Sequence, residues 1–142
     1  MGNTMTSGVG INDACLSEYQ LLKLKKAYKY IVFNLSKDNT EIIVEKTSTS
    51  PDYDNFIEDL PETECRWAVY NFEFEKAGAG KRNKLTFVSW APDTAKIKQK
   101  MLFASSKDAL RKALVGIAVE IQGTEYNEVS YASLLDKASR GN

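Results

Sequence analysis

Residues Cys65 to Glu75, reading CRWAVYNFEFE, constrain the fold more than any other stretch, because they carry apolar side chains on both faces of one strand. Alternation at period two puts Ala68, Tyr70, Phe72 and Phe74 on one side, while Trp67 and Val69 make the other side apolar at its start. A strand with two apolar faces needs cover on both, so its sheet must lie between two layers of helix. Neighbouring segments supply the parts. Tyr28 to Leu35 and Thr40 to Thr47 are β-branched and aromatic runs separated by Ser36-Lys37-Asp38-Asn39, a polar turn that suits a hairpin. Lys76 to Lys84, with Gly78 and Gly80, reads as a turn leading to a strand over Leu85 to Trp90, and Val115 to Ile121 as a short strand ended by Gly123.

Helix signals lie between these runs. Asn12 or Asp13 can cap a helix with an apolar stripe of Cys15, Leu16, Tyr19, Leu22 and Leu24, running to about Lys26. Ser50-Pro51 reads as an N-cap followed by proline at the first helical position, and Tyr53, Phe56, Ile57 and Leu60 recur at helical spacing before Pro61. Val129 to Ala138 has the pattern of a closing helix, and residues 1–10, small, polar and glycine-containing, are expected to be a flexible arm ahead of one domain over 11–142. The expected fold is α+β: a three-layer α/β/α domain with a mixed, mainly antiparallel sheet of about five strands and helices on both faces.

Composition excludes several classes of function. At 142 residues and 43% hydrophobic, the chain can bury a core that needs no staples. Cys15 and Cys65 are isolated and there is no histidine, so zinc sites, thiol–imidazole catalysis and a secreted bridge framework all lack parts. No cofactor or metal is expected, and the setting should be reduced and intracellular. Nineteen basic residues balance nineteen acidic ones, so net charge gives no reason to expect nucleic acid. No apolar run approaches the ~20 residues that span a bilayer, and no signal-peptide layout opens the chain. Met1 to Thr6 fits the loose M-G-x-x-x-[ST] lipidation pattern, but no polybasic stretch supplies the second signal that stable anchoring needs, and Met5 is a second candidate start. Gly80-Lys81 is not a phosphate loop, since that motif requires glycine at Glu75 and a hydroxyl at Arg82. Ser105-Ser106-Lys107 has no histidine to complete a triad, so catalysis is not expected.

Trp90 to Leu114 reads as one helix with two apolar demands. Leu102, Phe103, Ala109, Leu110, Ala113 and Leu114 gather on a face suited to a core, while Ile97, Met101 and Ala104 lie opposite, among Lys96, Lys98, Lys100, Lys107, Arg111 and Lys112. Leaving Ile97 and Met101 exposed forgoes roughly 1.5–3 kcal/mol each of burial. A partner cleft rimmed by carboxylates would use that face, as would an anionic lipid surface; alternatively the helix bends at Ser105-Ser106 and returns Ile97 and Met101 to the core.

The same residues resemble a known family. WAPDTA, KIKQKMLFASSKDALRKAL and GIAVEIQGTEY, together with SGV, TSTSPDYDNFIEDLP, ECRWAVYNFEFE and GKRNK in the same order, are similar to actin-depolymerising factors and cofilins over almost the whole chain. The resemblance implies a non-enzymatic, monomeric, cytoplasmic protein of the actin cytoskeleton. It would bind actin monomers, preferring the ADP-bound state, and filament sides, and would sever filaments and promote their depolymerisation, with phosphoinositide lipids as competitors. An alternative is a phosphoinositide-responsive protein that binds filament sides without severing. Nuclear entry is left open, since Lys23-Leu24-Lys25-Lys26 also reads as the polar face of the first helix.

Carried over by position, the resemblance implies that Ser7, Gly8, Val9, Lys98, Lys100, Met101, Arg111 and Lys112 form the surface shared by monomer and filament binding. Lys81, Arg82 and Lys84 match a basic hairpin, and Asp136, Lys137 and Arg140 a charged closing helix, both used chiefly on filaments. Ser7 stands where the family is inactivated by phosphorylation if Met5 is the true start; added there, about −1.5 to −2 charge would repel an acidic partner. Lys96 replaces the proline of many relatives at the helix start, so the first turn is expected to fray more.

Overall fold

The computed structural model describes residues 8–140. Its single sheet contains strands β1 (Gly10–Ile11), β2 (Tyr30–Leu35), β3 (Glu41–Ser48), β4 (Arg66–Lys76), β5 (Gly80–Trp90) and β6 (Val119–Gly123), in the order β1-β3-β2-β4-β5-β6. The middle pairings are antiparallel, whereas β1 joins β3 and β6 joins β5 in parallel, so the sheet is mixed as expected. It has six strands rather than about five. The extra one is β1, which begins at Gly10, the last residue of the expected arm: Gly10 N–H donates to Thr40 O at 2.9 Å, and Val9 before it is only 3% exposed. Pairing to a ready strand edge and burying a valine fix a segment whose own composition is that of a loop.

Helices α1 (Asp13–Lys25), α2 (Tyr53–Glu58), α3 (Ile97–Ala113) and α4 (Tyr131–Ser139) cover both faces. Cys15, Tyr19 and Leu22 of α1 and Phe103 and Leu110 of α3 pack with Trp67 and Val69 on one side of β4. Phe56 of α2 and Leu134 and Ala138 of α4 pack with Ala68, Tyr70, Phe72 and Phe74 on the other. The two-faced strand therefore does what its sequence demands. The α1 stripe is narrower than expected, because Leu16 and Leu24 are 39% and 68% exposed.

Three boundaries differ from the sequence-based expectation for local physical reasons. Asp52, not Ser50, caps α2 by accepting from Asp54 N–H, while Ser50 Oγ accepts from Asn55 Nδ2 at 2.6 Å and steadies the turn outside it. The long helix starts at Ile97 rather than Trp90. Trp90 is the last residue of β5, held in the ladder opposite Arg66 and Gly123, with its indole N–H on Pro61 O at 2.6 Å. The turn of the second hairpin spans only Ala77 to Ala79, closed by Ala79 N–H on Lys76 O, with Gly78 and Gly80 both at φ +78°, where a side chain would be strained. Lys81, Arg82 and Lys84 are consequently strand residues.

Candidate functional site

The core side of α3 is set by Phe103, whose ring centroid lies 4.2 Å from that of Trp67, and by the fully buried Leu110. The opposite side carries Ile97 at 73% and Met101 at 66% exposure. The helix is continuous from Ile97 to Ala113, so the alternative in which it bends and returns these two residues to the core does not hold. Ser106 lies inside it, buried, with its hydroxyl on Leu102 O at 2.8 Å. Lys98 stands exposed next to Ile97, and Lys112 is exposed about three turns beyond Met101.

The remaining cations of this group are less free. Lys100 is half-buried and its Nζ donates to Asp93 O at 3.0 Å, tying the helix to the loop that precedes it. Arg111 is half-buried and ion-paired with Glu120 of β6. Its charge is met within the chain, a pairing between separate elements that local sequence cannot reveal. Gln99 also went unnoticed from sequence: its Oε1 accepts from Cys65 N–H at 2.8 Å and pins the first turn of α3 to the start of β4. At the other end, Tyr19 OH and Lys23 Nζ both donate to Val115 O, at 2.7 and 2.8 Å, fixing the loop after α3. Burial pushes the Tyr19 phenol up to about 12 against the opposing influence of Arg111, so it remains a donor.

At the N-terminus, Gly8 is exposed at φ +78°, but Val9 belongs to the core and cannot offer its side chain to a partner without leaving it. Of the arm residues expected at the binding surface, Gly8 is exposed while the Val9 side chain serves the core. Ser7 and the Met1 to Thr6 pattern lie outside the described residues.

The basic hairpin divides between two faces. Lys81 is opposite Glu75 in the β4–β5 register, Arg82 opposite Phe74 and Lys84 opposite Phe72. Phe72 and Phe74 belong to the α2/α4 side, so Arg82 and Lys84 share that side while Lys81 lies on the other. Lys84 Nζ reaches α4 and donates to Ala138 O at 2.7 Å. Farther along α4, Arg140 pairs with Asp136 one turn back, and Lys137 is exposed. Arg82, Lys84, Asp136, Lys137 and Arg140 therefore lie on one side of the sheet, away from α3, with Lys84 linking the hairpin to α4. Among the described residues, no helix is long and apolar enough to cross a membrane, and no group of three or more His, Cys, Asp or Glu side chains could hold a metal.

Comparison with known proteins fits this arrangement. Residues 8–139 match the family described as cofilin/tropomyosin-type actin-binding protein. Cofilin of Mycosarcoma maydis is 62% identical over 136 residues, covering 96% of this chain and 98% of the relative. Cofilin of Saccharomyces cerevisiae is 52% identical, covering 95% of each. Among solved structures, that of Streptomyces griseoflavus cofilin superposes with a TM-score of 0.90 at 69% identity, covering 95% of this chain and 100% of that one. Plasmodium berghei actin depolymerization factor 2 gives 0.78 at 30% identity, covering 95% and 98%. With the sheet, both helical layers and the exposed α3 face all inside the matched span, the chain belongs to the cofilin/actin-depolymerising-factor family of actin-binding proteins.

Proposed function

We propose that the protein binds actin monomers, preferring the ADP-bound state, and the sides of actin filaments, and that it severs filaments and promotes their depolymerisation. The observation that carries this reading is the outward face of α3, where Ile97 and Met101 are 73% and 66% exposed on a helix whose other side is firmly held in the core. Covering both would recover roughly 1.5–3 kcal/mol each, and the unbranched thioether of Met101 adapts to an irregular cleft. Lys98, exposed next to Ile97, and Lys112, exposed about three turns beyond Met101 on the same helix, favour a cleft with an acidic rim. Gly8 and the arm residue Ser7 extend this surface in the proposal.

A second surface explains action on filaments. Arg82, Asp136, Lys137 and Arg140 lie on the layer opposite α3, a separation that suits contact with two neighbouring subunits at once. If binding favours a differently twisted filament, it shifts the filament population toward that twist and strains the boundary with bare filament, where breakage follows. Phosphoinositide headgroups would compete through the same exposed lysines, and phosphorylation at Ser7 would weaken binding by adding negative charge opposite an acidic cleft. The protein is proposed to act as a monomer in the cytoplasm.

Replacing Lys98 and Lys100 by alanine together is expected to abolish monomer binding and filament co-sedimentation while the circular dichroism spectrum stays unchanged. Unaltered binding by the folded double variant would refute the α3 site. Time-lapse microscopy of filaments tests severing: more breaks per unit length with the protein, and fewer with Ser7→Glu, are expected.

A further inference from the structure

The β4–β5 hairpin outruns the rest of the sheet. Asn71 N–H on Lys29 O ends the contact with the β2 side and Ala118 N–H on Leu85 O begins that with the β6 side, so residues 72–76 and 80–84 form a projecting two-stranded arm. Two strands alone are marginally stable in water, and an arm that must present a charge at a fixed place needs a brace. Phe74, 7% exposed beside Phe72, gives one on the α4 side, and the 3.5 Å Lys29–Glu73 pair gives a weak one on the other. Lys84 gives the most specific. Its half-buried ammonium donates at 2.7 Å to Ala138 O, in the last turn of α4.

That carbonyl has a reason to want a cation. The final carbonyls of a helix lack partners within it and carry the negative end of its dipole. Here Arg140 leaves α4 in an extended conformation, φ −73° and ψ 145°, and among the described residues no left-handed one closes the last turn. One of the three N–H donors of this ammonium is thereby committed to the helix end, which gives Lys84 a role within the chain itself.

We propose that Lys84 is a positioning residue and not a filament contact: it caps α4 from the arm, holding Arg82 and Arg140 at one spacing so that hairpin and closing helix act as a single rigid surface. This rests on the functional reading above and differs from it in the role of Lys84, which the family resemblance groups with direct filament contacts.

Amide hydrogen exchange and filament co-sedimentation test it on five proteins: wild type, Lys84→Met, Arg140→Ala, the double variant and, as the conservative control, Lys84→Arg. Lys84→Met, which keeps the apolar stem, should speed exchange of the amides from Asp136 to Ser139 while Lys84→Arg restores protection. It should weaken filament binding about tenfold, the scale of one charge-assisted hydrogen bond. The double variant should bind no worse than the weaker single variant, because Lys84 acts through the helix that presents Arg140. Unchanged exchange in Lys84→Met, or losses that multiply in the double variant, would overturn the proposal. The exchange measurement needs no actin, so its outcome is independent of whether the wild-type protein pellets with filaments.

Discussion

Met101 and Phe103 stand two residues apart on α3, one 66% and the other 4% exposed, and their substitutions should separate binding from folding. Phe103→Ala removes a buried ring packed at a tilt against Trp67 and should cost about 3–5 kcal/mol of stability in a denaturant melt. Met101→Ala should change stability by no more than about 0.5 kcal/mol. Its effect should instead appear in actin pelleting, as about a tenfold loss, the equivalent of roughly 1.4 kcal/mol. The cysteines make a second prediction. Burial pushes the Cys15 thiol from 9.0 up to about 12, so at pH 8 it should react with a thiol reagent only as fast as the fold opens. Because the folded value lies above the unfolded one, the stabilisation linked to this group is complete below about pH 9 and is lost as pH rises toward 12, which alkaline denaturation curves of wild type and Cys15→Ala would show. Hydrophobic spacing made the contrast between Met101 and Phe103 legible. It could not show that Val9 is buried, since that depends on a strand edge contributed by residues 40–42.

At the scale of elements, α3 owes its registration to contacts that no helical periodicity encodes: Gln99 on the Cys65 amide, Lys100 on the Asp93 carbonyl, and Arg111 on Glu120. Its N-cap is Lys96, at φ −63° and ψ 143°, without a side-chain cap hydrogen bond. The φ of −63° is one a proline would also adopt, and a proline would leave the same side-chain cap unmade. Lys96→Asp should therefore raise stability by about 1 kcal/mol, read by thermal melting. The hairpin shows the opposite balance. Lys81, Arg82 and Lys84 look like one basic cluster in the sequence, yet strand alternation divides them once β5 is known to begin at Gly80. Arg82→Ala should accordingly weaken filament binding several-fold more than Lys81→Ala, whose side chain shares a face with Glu75 and not with α4.

For the whole molecule, the two apolar faces of β4 already dictated a sheet between helical layers, and that is why the fold was legible. The number of strands was less so, because β1 spans only Gly10–Ile11 and is held mainly by its neighbour. The placement of α3 and α4 on opposite sides of one sheet gives the proposed division of labour its physical basis: α3 would serve any engagement of actin, and the arm with α4 the grip on a filament. The most direct test measures monomer and filament affinities side by side for Lys98→Ala/Met101→Ala and for Arg82→Ala/Arg140→Ala. The α3 pair should lose both affinities together, whereas the Arg82/Arg140 pair should keep wild-type monomer affinity and lose about tenfold or more on filaments. Equal losses on monomer and filament in the Arg82/Arg140 variant, or filament binding that survives the α3 changes, would contradict the division.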